Sequence, residues 1–213
     1  IIDTLCRQLT NYLLISKLIK ENPVYGQYPL STTSPEALKY TIYGDKAGKK
    51  GDFQAAVSWY LKAVSVDSSF FDPMIGLSSA YGNQNMMEPM LKWVIKYYKK
   101  REQWSVVDQL WASWGYAYNF EPPEERLKYL KQLLQIDDQA AGVYYLLGLQ
   151  YADMNQYEKA IPEYKKALEI SNKWGEYYMK DNWAFLTLGI VYHRTGQYRK
   201  ERKIYKEAEK YDP

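Results

Sequence analysis

The chain has 213 residues, 46% hydrophobic and 25% charged, with a net charge of only +3. That is enough for one or two domains with a sizeable core, and too even a charge balance to argue for nucleic acid or a membrane surface. No apolar run reaches the 18 or so residues of a membrane span, and the lone Cys6 excludes an internal disulfide framework. The surplus is aromatic: 23 Tyr and 7 Trp must pack together or line a binding surface.

Residues 1–20 set Ile2, Leu5, Cys6, Leu9, Tyr12, Leu13 and Ile19 at helical spacing, which predicts a helix with one buried stripe. Asp3, Arg7, Lys17 and Lys20 interrupt it, so it does not read as a signal peptide. Pro23, Gly26 and Pro29 mark residues 21–33 as a linker. The leading helix either caps the downstream helices or closes a preceding domain. A start at Ile1 rather than Met is expected of a piece of a longer protein. The single cysteine fits a reducing compartment, and a cytoplasmic location is the expectation.

From Ser34 onward the chain repeats. Ser34-Pro35-Glu36 opens a helix with a cap, a first-turn proline and an acid beside the dipole. A small residue then recurs at Gly44, Ser78, Gly115, Gly148 and Gly189, in steps of 34, 37, 33 and 41 residues. Around it stand Tyr40, Tyr43, Ala47, Ala56, Tyr60 and Ala63 in the first unit. The second has Met74, Leu77, Tyr81, Met90, Val94 and Tyr97, and the third Trp111, Trp114, Tyr118, Arg126, Leu130 and Leu133. The fourth is cleanest, with Tyr144, Leu147, Tyr151, Ala160, Tyr164 and Ala167; the fifth has Phe185, Leu188, Tyr192, Glu201, Tyr205 and Ala208. Two helices approach closely only where one presents little side chain, and large residues three and four positions away fill the space between pairs. Gly51 and Gly196 supply turns, Pro122-Pro123 opens a helix, and Pro162 is expected to bend one.

These motifs resemble the tetratricopeptide repeat, W-x2-L-G-x2-Y followed by A-x3-F-x2-A. The resemblance implies an all-α fold: a right-handed superhelix, or α-solenoid, of about five helix-turn-helix repeats plus an N-terminal helix. The repeats fall near 37–70, 71–104, 108–140, 141–172 and 182–213, so that 1–33 precede an array over 34–213. The 41-residue step places an aromatic insertion at 172–181, with Trp174, Tyr177 and Tyr178. TTSPEALKYTIYGDKA, LKYLKQLLQIDDQ, YEKAIPEYKKALEI and HRTGQYRKERKIYKEAEK further resemble the C-terminal repeat region of bacterial multidomain proteins with a preceding TolB-like or FlgO-like domain. That likeness implies a role in signalling or regulation.

Chemistry-bearing motifs are sparse. His193 is the only histidine, so a His/Cys metal site is not expected, and neither a phosphate loop nor a G-x-S-x-G elbow is present. The reading is no enzyme and no cofactor. Arg194, Arg199, Lys200, Arg202, Lys203, Lys206 and Lys210 with Tyr198 and Tyr205 leave nucleic-acid binding as an alternative, but Glu201, Glu207, Glu209 and Asp212 are interleaved with them. A second alternative is an intramolecular scaffold for upstream domains.

By the family's geometry the first helix of each pair lines a concave surface. The groove positions are then Asp45, Lys49, Ile75, Asn83, Tyr116, Phe120, Tyr145, Leu149, Ile190 and Arg194, with Thr41, Ser79, Ala112, Asp153 and Leu186 beside them. Tyr116, Tyr145 and Ile190 are expected on one surface. Lys49, Asn83 and Arg194 are too scattered for the carboxylate clamp of chaperone-binding members. The expected partner is therefore a protein or peptide, with a hydrophobic or aromatic segment favoured. In the last helix Glu201, Arg202 and Glu209 stand where the fourth repeat has Ala160, Ile161 and Leu168, which predicts a solvent-facing end to the array.

Overall fold

A computed structural model describes residues 2–26, 30–174 and 183–210, apart from the side chains of Ile2 and Trp174. Among the described residues the regular elements are all helical. The chain divides into two compact units, Ile1–Asn119 and Phe120–Pro213.

Unit 1 begins with α1 (Ile2–Glu21) and a 3-10 turn (Pro23–Gly26). It continues through α2 (Pro35–Lys49), α3 (Phe53–Val66), α4 (Asp72–Asn83) and α5 (Met87–Lys100) to α6 (Val106–Phe120), whose last residue opens unit 2. Starts and stops follow local chemistry. The Ser34 hydroxyl accepts from the Ala37 amide at 3.2 Å ahead of Pro35, and Asp52 caps α3 through the Ala55 amide at 3.0 Å. Gly51 turns the chain at φ +77°, and Asn85 makes the same left-handed turn one repeat later at φ 57°.

The repeat's small residues work as expected. A Cβ on Gly44 would run into the Tyr60 ring, and one on Gly76 would meet the same ring at 2.6 Å, so Tyr60 fills a slot between α2 and α4. The buried Ser78 hydroxyl donates to the Ile75 carbonyl at 2.8 Å, and Tyr97 fills the space beside Gly115. Phe71, Met74, Leu77, Val94 and Trp104 complete that core, and the Trp104 indole donates to the Ser69 carbonyl at 2.6 Å.

The leading helix forms, but its buried face is not the expected stripe. Leu5, Leu9, Tyr12 and Leu13 are 58–67% exposed, and Cys6 is exposed too. Ile19 is the stripe member that meets a core: with Ile15 and Leu18 it packs on Tyr25, Ala37, Leu38, Ile42 and Phe70. Only the C-terminal half of α1 lies against this core, so only its last turns find apolar partners.

Unit 2 holds α7 (Pro123–Ile136), α8 (Ala141–Asp153), α9 (Tyr157–Trp174), α10 (Trp183–Arg194) and α11 (Tyr198–Ala208). Pro123 sits in the first turn of α7, and α9 runs on through Pro162. Asn155 and Gly196 take the left-handed turn between paired helices. Tyr164, fully buried, closes on Gly148 at 2.6 Å from a built Cβ, and Tyr205 closes on Gly189 in the same way. Ala160, Leu168, Phe185, Leu188, Val191 and Ile204 share their core. The aromatic side chains of the 172–181 insertion, Trp174, Tyr177 and Tyr178, lie outside the described residues.

In α11, Arg202 and Glu209 are exposed, while Ile204 is buried. Glu201 differs: its side chain is only 18% exposed and meets His193 at 3.1 Å. No helix among the described residues is long and apolar enough to cross a membrane.

Candidate functional site

On unit 1 the first helices of three successive pairs, α2, α4 and α6, enclose a pocket of about 500 Å³. Three carboxylates reach it. Asp45 comes from the last turns of α2, while Asp72 and Asp108 come from the first turns of α4 and α6. Tyr25, Tyr60, Phe71, Ile75, Trp111 and Trp114 form most of the remaining wall, and no basic residue lines it among the described residues. Trp111 and Trp114 meet edge to face at 5.7 Å.

The three acids differ in their partners. Asp45 accepts from the Tyr60 hydroxyl at 2.5 Å and from the Tyr25 hydroxyl, which pins the N-terminal 3-10 turn to α2. Burial pushes the Asp45 pKa up, while those two hydroxyls and the nearby Lys49 charge pull it back. Burial, and after it the same carboxylate, drives the Tyr25 and Tyr60 hydroxyl pKa values well above the usual phenol range. Asp72 lies deepest. It is half-buried at the pocket wall, and burial, then the Asp108 and Asp45 charges, push it up to about 7. Burial also raises Asp108, whose Oδ2 is buried without a hydrogen-bond partner.

A neighbouring pocket of about 310 Å³ shares Ile75, Ser79, Trp111 and Trp114 with the first. It extends towards Asn83, Tyr118 and Asn119, and the Trp114 indole nitrogen lies buried there with no partner. Among the expected groove residues of unit 1, Asp45 and Ile75 line the acidic pocket, and Ile75 and Asn83 line the second. Lys49 and Asn83 are exposed. Tyr116 is half-buried and stacks on Tyr98 at 3.9 Å, with the Arg101 guanidinium over the other ring. Thr41 and Ala112 are buried between helices rather than open to the face.

In unit 2, Phe120, Ile190 and Arg194 are exposed, and Tyr145 and Leu149 are half-buried against the unit's core. Tyr145 tilts against Tyr164 at 5.9 Å between centroids. Asp72, Asp108, Trp111 and Trp114 were not among the expected groove residues. One more turn towards the N-termini of α4 and α6 from Ile75 and Ala112 reaches the two acids. Their place in a helix's first turn hid them, because the macrodipole alone accounts for an acid there.

Models of the tetratricopeptide repeat match residues 40–70 and 139–212. The chain carries tetratricopeptide repeats. Among solved structures it is similar to TTC0263, a thermophilic repeat protein of Thermus thermophilus. The match covers 83% of this chain and 92% of that one, at 16% identity and a TM-score of 0.65. It is also similar to MamA from Desulfovibrio magneticus, covering 83% and 95%, at 16% identity and a TM-score of 0.51. At that identity the likeness carries the fold alone. No curated protein sequence matches the chain.

Proposed function

We propose that this chain is a protein-interaction scaffold that holds peptide segments on the faces formed by the first helices of its repeats. The observation that carries the reading is the pair of adjoining pockets on α2, α4 and α6, walled by aromatic side chains with a few polar groups among them. Concave sites of that size and composition are where ligands bind, and helical repeats mostly bind rather than catalyse. Among the described residues no group of His, Cys, Asp or Glu side chains is placed to hold a metal ion.

Asp45, Lys49, Ile75, Asn83 and Tyr116 belong to the proposed surface of unit 1. Phe120, Tyr145, Leu149, Ile190 and Arg194 belong to that of unit 2. The exposed aromatic and aliphatic members favour an apolar or aromatic segment in the guest. A setting in a bacterial signalling or regulatory protein, downstream of a TolB-like domain, follows the sequence likeness, and a cytoplasmic location follows the single cysteine. The test is selection of displayed peptides on the purified chain, followed by Trp111→Ala and Tyr145→Ala. Each substitution at an anchor is expected to weaken the selected peptide by about 1–3 kcal/mol with helix content unchanged. A chain that retains no peptide, or variants that bind as tightly as the parent, would overturn the reading.

A further inference from the structure

Acids in the first turn of a helix are ordinary, and the ordinary kind is visible in this chain. Glu88, in the first turn of α5, is exposed, pairs with Lys92 at 2.7 Å, and has its pKa held down by that partner. Asp72 and Asp108 are the reverse. Both are half-buried, both have raised pKa values, and both face a shared space with Asp45. Among the described residues no other side chain bonds to Asp72. Oδ2 of Asp108 has no partner at all. Asp72 has only its own backbone amide as donor and Asp108 only the Ser105 hydroxyl, so two such carboxylates converging on one space are costly beyond what a dipole accounts for. Asp45 is already served by two tyrosine hydroxyls, which leaves Asp72 and Asp108 with the fewer donors.

We propose that this pocket receives the positively charged side chain of a lysine or arginine in a bound peptide, with Asp72 and Asp108 as its counter-ions. The inference rests on the reading that this face holds peptide. Three carboxylates, of which only Asp45 has a lysine charge near it, repel an anion and attract a cation. The faces and edges of Trp111, Trp114 and Tyr60 suit a cation with a methylene stem better than a hydrated metal ion. About 500 Å³ is ample for one long side chain and part of its backbone.

The test titrates the whole chain with N-acetyl-arginine amide, N-acetyl-lysine amide and the neutral N-acetyl-norleucine amide, reading the indole N–H resonances of Trp111 and Trp114. At least one cationic amide is expected to give a saturable shift that the norleucine amide does not. Affinity should fall about tenfold or more in Asp72→Asn and in Asp108→Asn, with helicity retained. Equal shifts from the norleucine amide, no shift from either cation, or unchanged affinity in both variants would overturn the assignment. Displayed peptides separate this from the broader reading. Selected peptides that lack a basic residue and bind both variants as well as the parent sink the cation site and leave the scaffold standing. If no peptide is retained, the scaffold reading fails, and the amide titration alone decides the cation site.

Discussion

The two units use one packing device and dress it differently. In both, a tyrosine from the second helix of a pair closes over a glycine of the first: Tyr60 over Gly44, Tyr164 over Gly148, Tyr205 over Gly189. The residue after that glycine is Asp45 in the first repeat, Leu149 in the fourth and Ile190 in the fifth. In unit 1 the tyrosine hydroxyl therefore bonds to a carboxylate, and the face beyond it is acidic. In unit 2 the same register presents aliphatic side chains, half-buried at Leu149 and 53% exposed at Ile190. A frame set by backbone approach thus leaves its neighbouring positions free to define a partner. The family models match 40–70 and 139–212, and Asp72, Asp108, Trp111 and Trp114 all fall in the stretch between. That stretch supplies most of the pocket's lining.

The shared device should break with the largest effect. Gly148→Leu drives a side chain into the Tyr164 ring, which is buried on all sides and cannot turn away. The expected cost is about 3 kcal/mol, read as a lower urea midpoint, and Gly44→Leu should cost as much through Tyr60. Equal losses at the two sites make the packing common to both units. A loss at only one would confine the device to that unit.

That device was legible in the sequence because it depends on spacing. Gly44, Gly148 and Gly189 and the aromatics around them recur at fixed offsets, and Gly51 and Gly196 mark the turns. Two other turns carry Asn85 and Asn155, which adopt the same left-handed backbone with a short polar side chain and so are less conspicuous than glycine. Burial was harder to read. Helical periodicity gave α1 an apolar stripe but not its neighbours, and only Ile15, Leu18 and Ile19 meet a core. The acids of the pocket were harder still. Asp72 and Asp108 acquire their character from three helices converging, which no local pattern records.

The difference between the units should appear next, as a pH dependence. Asp72 has a pKa of about 7 in the folded chain, against about 3.9 for an unfolded aspartate, so folding takes up a proton between those values. Stability is then highest at the acid side of that window and falls as the pH rises through it. Asp72→Asn removes the penalty, and the variant should be more stable than the parent at pH 8 by about 2 kcal/mol, discounted for water in the pocket. Near pH 4 the advantage should disappear, because the parent carboxyl is then protonated. Urea unfolding followed by tryptophan fluorescence at both pH values checks this. A variant less stable than the parent at pH 8 would show that Asp72 already has a favourable partner. A residue that weakens the fold while facing a pocket is what a binding role predicts.

The smallest effect is expected at the far end of unit 2, where one repeat position carries opposite chemistry in neighbouring repeats. Ala160 in α9 has no exposed surface, whereas Glu201 occupies its place in α11, keeps 18% of its side chain in solvent and reaches His193 at 3.1 Å. His193 is itself 62% exposed, so the pair is screened by water and holds two side chains in one arrangement for little return. Glu201→Ala should therefore change stability by about 0.5 kcal/mol or less, and added salt should leave that small difference nearly unchanged. If the loss reached about 2 kcal/mol, Glu201 would be part of a covered contact, and the contrast with Ala160 would be one of partner rather than of exposure. A stability that rose instead would mean that the carboxylate is poorly paired where it stands.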